Sequence, residues 1–65
     1  MTIITKEHAF KILNDNTIIK IINHYYPSFS TIVVSYILEN KGRVMIDSNM
    51  NDGTTNYTYK REVDY

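Results

Sequence analysis

The 65-residue chain contains no cysteine and no tryptophan, one proline and two glycines, and its basic and acidic side chains balance at seven each. The absence of cysteine excludes disulfide bonds and fits a reducing, intracellular setting. A hydrophobic core built from so few residues gives only marginal stability without a disulfide, a metal or a partner surface. We therefore expect residues 1–65 to form a single small domain that self-associates or docks on another protein.

The sequence also lacks the marks of membrane, secreted, metal-binding and catalytic proteins. No apolar run approaches the length of a membrane span and the N-terminus has no signal-peptide pattern, so we expect a cytoplasmic protein without membrane contact. His8 and His24 have no partner at zinc-ligand spacing, and the segment 47–58 departs from a calcium loop at the positions that require Gly and Glu. The sequence shows no catalytic motif, either of a nucleophile beside a general base or of two carboxylates that could flank an active-site cleft. We expect no enzyme activity, no metal, no cofactor and no small-molecule substrate.

The last third of the chain contains a clear signal for a β-hairpin. Asp52-Gly53 fits the two central positions of a type I′ turn, because both positions require positive φ. The pairs implied by this turn are Asn51–Thr54, Ser48–Tyr57, Ile46–Tyr59, Val44–Arg61 and Arg43–Glu62.

The two faces of this hairpin differ in polarity, because side chains alternate along a strand. The face expected to meet a core comprises Val44, Ile46, Ser48, Met50, Tyr57, Tyr59 and Val63. The face expected to meet water comprises Arg43, Met45, Asp47, Thr58, Lys60 and Glu62. A shift of one residue would exchange the faces, so the register is well specified.

The first forty residues have a helical period instead. Thr5 is placed to cap a first helix over Lys6–Leu13, with Ala9, Phe10, Ile12 and Leu13 on its buried side. Asn16 is placed to cap a second helix, which would end before Pro27. Its apolar stripe would comprise Ile18, Ile19, Ile21, Ile22, Tyr25 and Tyr26.

A third helix would begin at a cap supplied by Ser28 or Ser30 and stop at a left-handed Gly42. Its apolar positions would be Phe29, Ile32, Val33, Tyr36 and Ile37, although the run Ile32-Val33-Val34 favours a strand. The predicted fold class is therefore α+β, with three short N-terminal helices followed by a C-terminal two-stranded antiparallel β-hairpin.

The segment 28–44 resembles part of a known protein family in the order of its features. It has a Ser/Thr-rich start, an amphipathic stretch, then Lys41-Gly42 and an apolar strand, and it resembles the recognition helix and wing entry of winged helix-turn-helix proteins. The resemblance spans about residues 6–63. It implies a small dimeric DNA-binding transcription regulator, with helix three in the major groove and the hairpin as the wing. The DNA contacts that it implies are Ser28, Ser30, Thr31, Ser35, Lys41, Arg43, Lys60 and Arg61.

A different hypothesis needs no DNA. A chain with zero net charge lacks the basic footprint that supplies most non-specific DNA affinity, and the hydroxyl and basic residues just named also suit caps and solvated faces. Tyrosine supplies six of the eight aromatic residues and is enriched at binding hot spots. The candidate interface comprises Tyr25, Tyr26, Tyr57, Tyr59 and Tyr65. On this hypothesis the chain is a small phage- or mobile-element-type protein that binds a host protein and inhibits or redirects it. The sequence leaves both hypotheses open.

Overall fold

Five antiparallel strands and one helix make up the part of the chain that the structure, a computed structural model, describes, namely residues 1–40 and 42–63. The elements are β1 (Thr2–Ile4), α1 (Lys6–Asp15), β2 (Ile18–Tyr26), a 3₁₀ turn (Pro27–Phe29), β3 (Thr31–Leu38), β4 (Arg43–Asn51) and β5 (Thr54–Glu62). The strands form one sheet in the order β1-β5-β4-β3-β2. Strands β2 to β5 follow one another as a meander, and the N-terminal strand β1 pairs with β5 at the far edge.

The predicted fold of three helices and a two-stranded hairpin is wrong, because the segments assigned to helices two and three are β2 and β3. Both segments are rich in β-branched side chains, which lose rotamer freedom in a helix and pack well on a pleated surface. Pro27 does end an element, but it lies in the turn between the two strands. The resemblance to winged helix-turn-helix proteins is also wrong, because residues 28–38 supply no recognition helix.

The predicted hairpin is confirmed in both register and turn. Asn51 pairs with Thr54 and the ladder continues to Arg43 opposite Glu62, as the turn position requires. Asp52 and Gly53 have φ of 50° and 75°, the positive values that a type I′ turn needs. The hairpin lies inside the sheet, since β4 also pairs with β3 and β5 also pairs with β1.

The first predicted helix is confirmed, and its cap is the expected one. The Thr5 Oγ1 accepts a hydrogen bond from the His8 backbone N–H at 3.1 Å. Asn16, predicted to start a second helix, instead closes the first, because its Nδ2 donates to the Ile12 carbonyl at 2.8 Å. Its Oδ1 also accepts from Asn40 Nδ2 at 3.2 Å, which ties the end of α1 to the β3–β4 turn.

Gly42 lies in that turn and does not stop a helix. The Leu38 N–H donates to the Gly42 carbonyl at 2.9 Å, and the Gly42 N–H donates to Asn40 Oδ1 at 3.0 Å. The helix stop predicted for this glycine is therefore wrong, because the chain here joins two paired strands, β3 and β4.

The core lies between α1 and one face of the sheet, here called the helix face. Its buried residues are Ala9, Ile12, Leu38 and Val44, with Ile4, Leu13 and Tyr59 packed around them. Phe10, predicted to be buried, is 47% exposed, and its ring lies edge-on to Tyr59 with centroids 6.0 Å apart.

The helix covers the part of the helix face around Leu38 and Val44 and leaves Ile32, Met50 and Tyr57 exposed. Ten helical residues span about 15 Å, whereas a nine-residue strand spans about 30 Å. The Cα radius of gyration of 12.2 Å accordingly exceeds the value of about 11 Å expected for a compact 65-residue domain. The end of the sheet that carries the Asp52-Gly53 turn therefore extends beyond α1.

The opposite face of the sheet, here called the open face, carries no helix within residues 1–40 and 42–63, but some of its side chains are shielded from water. Met45 was predicted to meet water and is only 9% exposed, because it lies between Ser35 on β3 and Lys60 on β5. Lys60 Nζ reaches Asp47 Oδ2 at 2.8 Å on the same face. Neighbouring strands on both sides thus cover a side chain that an isolated hairpin would expose.

Candidate protein-binding site

The predicted DNA-contacting hydroxyls do not lie on a helix. Ser28 is in the 3₁₀ turn, and Ser30 follows it in a left-handed conformation with φ of 47°. Thr31 Oγ1 donates to a carbonyl of the turn and accepts from Asn49 Nδ2, both at 2.8 Å, so it holds the turn onto β4. Ser35 is 9% exposed in the middle of β3. These residues stabilise a turn and a strand and cannot enter a major groove together.

The predicted basic contacts lie elsewhere on the sheet. Arg43 Nε is 3.7 Å from Glu62 Oε2, and Lys60 Nζ is 2.8 Å from Asp47 Oδ2, so both cations face a carboxylate. The other two predicted contacts are Arg61, directly opposite Val44 on the helix face, and Lys41, which lies outside the described residues. The structure therefore does not gather the seven described residues among these predicted contacts into one surface.

The predicted tyrosine interface is divided between the two faces. Tyr59 packs at the edge of the core, and Tyr26 lies on the open face. Tyr65 lies outside the described residues. Tyr25 and Tyr57 are brought to the same face, at the end of the sheet that α1 leaves uncovered.

These two tyrosines stand at opposite ends of a row that crosses four strands. Tyr25 on β2 is directly opposite Ile32 on β3, Ile32 is opposite Ser48 on β4, and Ser48 is opposite Tyr57 on β5. With strands about 4.8 Å apart, the row is about 14 Å long. The small Ser48 side chain lies within the row, between the larger Ile32 and Tyr57, and leaves a depression.

The depression and its surroundings form a groove of about 490 Å³, here called the distal groove. Its lining residues are Tyr25, Ser30, Ile32, Ser48, Met50, Asp52, Gly53, Thr55 and Tyr57. The four large apolar members are exposed: Tyr25 60%, Ile32 45%, Met50 62% and Tyr57 58%. A contiguous apolar patch of this kind on a small protein is typical of an interaction site.

Sequence reasoning found the tyrosines of this groove but not its floor. Ile32 was assigned to the core side of a helix and Met50 to the core face of the hairpin. Both residues lie on the helix face, yet α1 is too short to reach them. The signal that would have found them is strand pairing between residues 18–26 and 31–38.

The groove combines polar groups with an apolar floor. Hydroxyls of Ser30, Ser48 and Thr55 and the carboxylate of Asp52 surround an apolar floor. Within residues 1–40 and 42–63, no three His, Cys, Asp or Glu side chains are grouped closely enough to hold a metal ion. In that same part of the chain, the helical segment is too short and polar to cross a membrane.

No protein-family model matches this chain, no curated protein matches its sequence, and no solved structure matches its fold.

Proposed function

We propose that this chain is a non-catalytic protein-binding module that holds a partner protein in the distal groove. The observation that supports this proposal is the row Tyr25–Ile32–Ser48–Tyr57, in which two exposed tyrosines flank an apolar depression. Tyrosine supplies a large, rigid contact area and a polar tip, and for this reason it is enriched at interaction hot spots.

The partner would present apolar side chains to Ile32 and Met50. The thioether of Met50 is flexible and polarizable, so it adapts to side chains of different shape. The hydroxyls of the groove can hydrogen-bond to the backbone of a bound segment. The carboxylate of Asp52 favours a basic residue in the partner, next to the apolar side chains that meet Ile32 and Met50. The expected partner segment is therefore apolar with an adjacent Lys or Arg.

The DNA-binding alternative loses the mechanism that supported it. Its recognition helix is replaced by β3, and two of its four predicted basic contacts, Arg43 and Lys60, face carboxylates at 3.7 and 2.8 Å. The zero net charge offers little compensating attraction to phosphate. Binding to a host protein that is thereby inhibited or redirected remains the function that the exposed apolar groove supports best.

The proposal can be tested by placing a photo-crosslinking amino acid at Tyr57 in cells that naturally carry the gene. Control positions are Phe29 on the open face, an aromatic residue that is 70% exposed against 58% for Tyr57, and Lys11 on the helix. We expect one protein to be crosslinked from position 57 and not from the controls. That protein is then purified and its dissociation constant is measured for the wild type, Tyr57→Ala and Phe29→Ala.

Loss of a hot-spot tyrosine should weaken binding about tenfold or more, whereas Phe29→Ala should leave it within about twofold. Equal crosslinking from all three positions, or equal affinity of the Tyr57→Ala variant, would show that the distal groove is not the site. Retention of the wild type on duplex DNA at low salt, released as salt rises and unaffected by Tyr57→Ala, would instead favour a DNA-binding function.

A further inference from the structure

Strand β2 forms one whole edge of the sheet and is unusually apolar for that position. All nine of its residues are exposed, and they include Ile18, Ile19, Ile21, Ile22, Tyr25 and Tyr26. Proteins normally protect a long edge with charges, proline or bulges, because its free backbone groups can pair with another chain. Here the protection is limited to Lys20 and a register shift between Ile18 and Lys20. The segment from Lys20 to Tyr26 is a regular strand open to pairing.

The hydrogen bonds of β3 determine which backbone groups of β2 face outward. The Leu38 N–H donates to Gly42 and the Ser30 carbonyl accepts from Met50, so even-numbered residues of β3 point toward β4. Because backbone groups alternate sides along a strand, its odd-numbered residues point toward β2. They are opposite the even-numbered residues from Lys20 to Tyr26. The N–H and C=O groups of Ile21, Asn23 and Tyr25 therefore point away from the sheet.

These three outward residues are symmetric about Asn23. We propose that β2 pairs antiparallel with β2 of a second copy of this chain, on a two-fold axis that passes between the two Asn23 residues. In this register each Asn23 is opposite the Asn23 of the second copy, and each Ile21 is opposite a Tyr25. Every outward N–H and C=O of the three residues then has a partner, and two five-stranded sheets become one continuous sheet.

The side chains fit this register on both faces. On the helix face Ile21 packs against Tyr25 of the second copy, an apolar pair with an aromatic member. On the open face Ile22 lies opposite His24, and Lys20 lies opposite Tyr26, so the two lysines stay apart. The net charge of zero adds no repulsion between copies. A self-complementary strand of this kind favours a second copy over an unrelated partner.

The pairing also completes the distal groove. Tyr25 is one wall of that groove, and Ile21 of the second copy would extend the apolar surface beyond it. The two-fold axis places both grooves on the same face of the joined sheet, near its centre. The dimer therefore presents two binding sites, each built partly from the other copy.

A charge-exchange experiment tests the register directly. In the proposed register, Asn23 of one copy lies directly opposite Asn23 of the second copy. Asn23 is exposed, so Asn23→Asp and Asn23→Lys should both fold as the wild type does, which far-UV circular dichroism checks. Like charges directly opposite each other are destabilising, so the dimer dissociation constant of each variant alone should rise about two- to fivefold above that of the wild type in analytical ultracentrifugation. An equimolar mixture of the two should form a heterodimer at least as tight as the wild type.

The matched controls are Lys11→Asp on the helix and Tyr57→Ala in the groove, and neither should change the dissociation constant. Amide hydrogen exchange adds a second measurement, since Ile21, Asn23 and Tyr25 should be protected at high protein concentration and exchange rapidly on dilution.

A wild type that stays monomeric at millimolar concentration would overturn the proposal. So would a dimer that neither Asn23 variant weakens, or a mixture that does not recover. Because Tyr57→Ala spares the dimer, this proposal and the distal groove can fail separately.

Discussion

Replacing Leu38 by alanine should be among the most damaging single changes to the fold. Leu38 is 1% exposed and belongs to the cluster of four buried residues that forms the core in the described part of the chain. Truncation of a buried leucine to alanine costs about 2–5 kcal/mol of unfolding free energy. A 65-residue domain has about 3–10 kcal/mol in total, from the usual range per residue. We expect a loss of about 3 kcal/mol, which corresponds to a fall in Tm of about 12–24 °C for a domain of this size.

Urea unfolding followed by far-UV circular dichroism measures this loss. The protein concentration is held fixed and low, because dimerisation would add a concentration-dependent contribution to stability. The control is Met50→Ala, which removes a side chain of similar size that is 62% exposed and should change stability by less than about 0.5 kcal/mol. If Leu38→Ala lowered the free energy of unfolding by less than about 1 kcal/mol, or by no more than the Met50 control, the core would not lie between α1 and the end of the sheet that carries Leu38.

Three further changes test local features of the fold. Thr5→Ala removes the acceptor of the His8 N–H and should cost about 1 kcal/mol in urea unfolding, whereas Thr5→Ser should restore most of it. Gly53→Ala places a side chain at φ of 75° and should cost about 1–2 kcal/mol from backbone strain alone, because a Cβ there meets no atom within 4 Å; an unchanged urea midpoint would contradict the type I′ turn. The hydrogen bond and charge of Asp15 raise the pKa of Lys11 above 10.5, so ion-pair stabilisation is complete below pH 10.5 and is lost as pH rises through the raised value. Asp15→Asn should return the lysine pKa, followed by NMR titration, toward 10.5.

The hairpin and the first helix could be predicted because each is specified by local chemistry. Two adjacent positive-φ positions at Asp52-Gly53 define a turn, and the alternating polarity on either side defines the register. Thr5 satisfies a free N–H of the helix start with its own side chain. In these places the interactions that decide the structure join residues near in sequence, or residues paired outward from a known turn.

Strands β2 and β3 could not be predicted from periodicity, because their apolar residues have no period of two. Ile21 and Ile22 are adjacent and therefore lie on opposite faces of the sheet, and Tyr25 and Tyr26 do the same. The same spacing fits a broad helical stripe. The information that decides against a helix is the β-branched composition and the pairing of each segment with the other, and the link between them, residues 27–30, carries no two-residue turn signal like Asp52-Gly53 from which that pairing could be counted outward.

The candidate site was predictable only in part for the same reason. Tyrosines were identified from their abundance, but which of them meet depends on the order of the strands. Tyr25 and Tyr57 are 32 positions apart in sequence and lie in one row because β3 and β4 stand between them. Tyr57 and Tyr59 share a face, yet only Tyr59 packs against the core, because the length of α1 sets the limit of coverage.

The feature that obscured β2 in the sequence is also the one that indicates its role. An edge strand needed only to close a sheet would alternate, with apolar residues toward the core and polar residues toward water. β2 carries large apolar side chains on both faces and keeps three residues with backbone groups directed outward. Burial within the monomer accounts for neither property, since every residue of the strand is exposed. Pairing with a second β2 accounts for both, because strand addition uses the outward backbone groups, places Ile21 against Tyr25 of the second copy on the helix face, and partly covers Ile22 and Tyr26 on the open face with His24 and Lys20 of that copy.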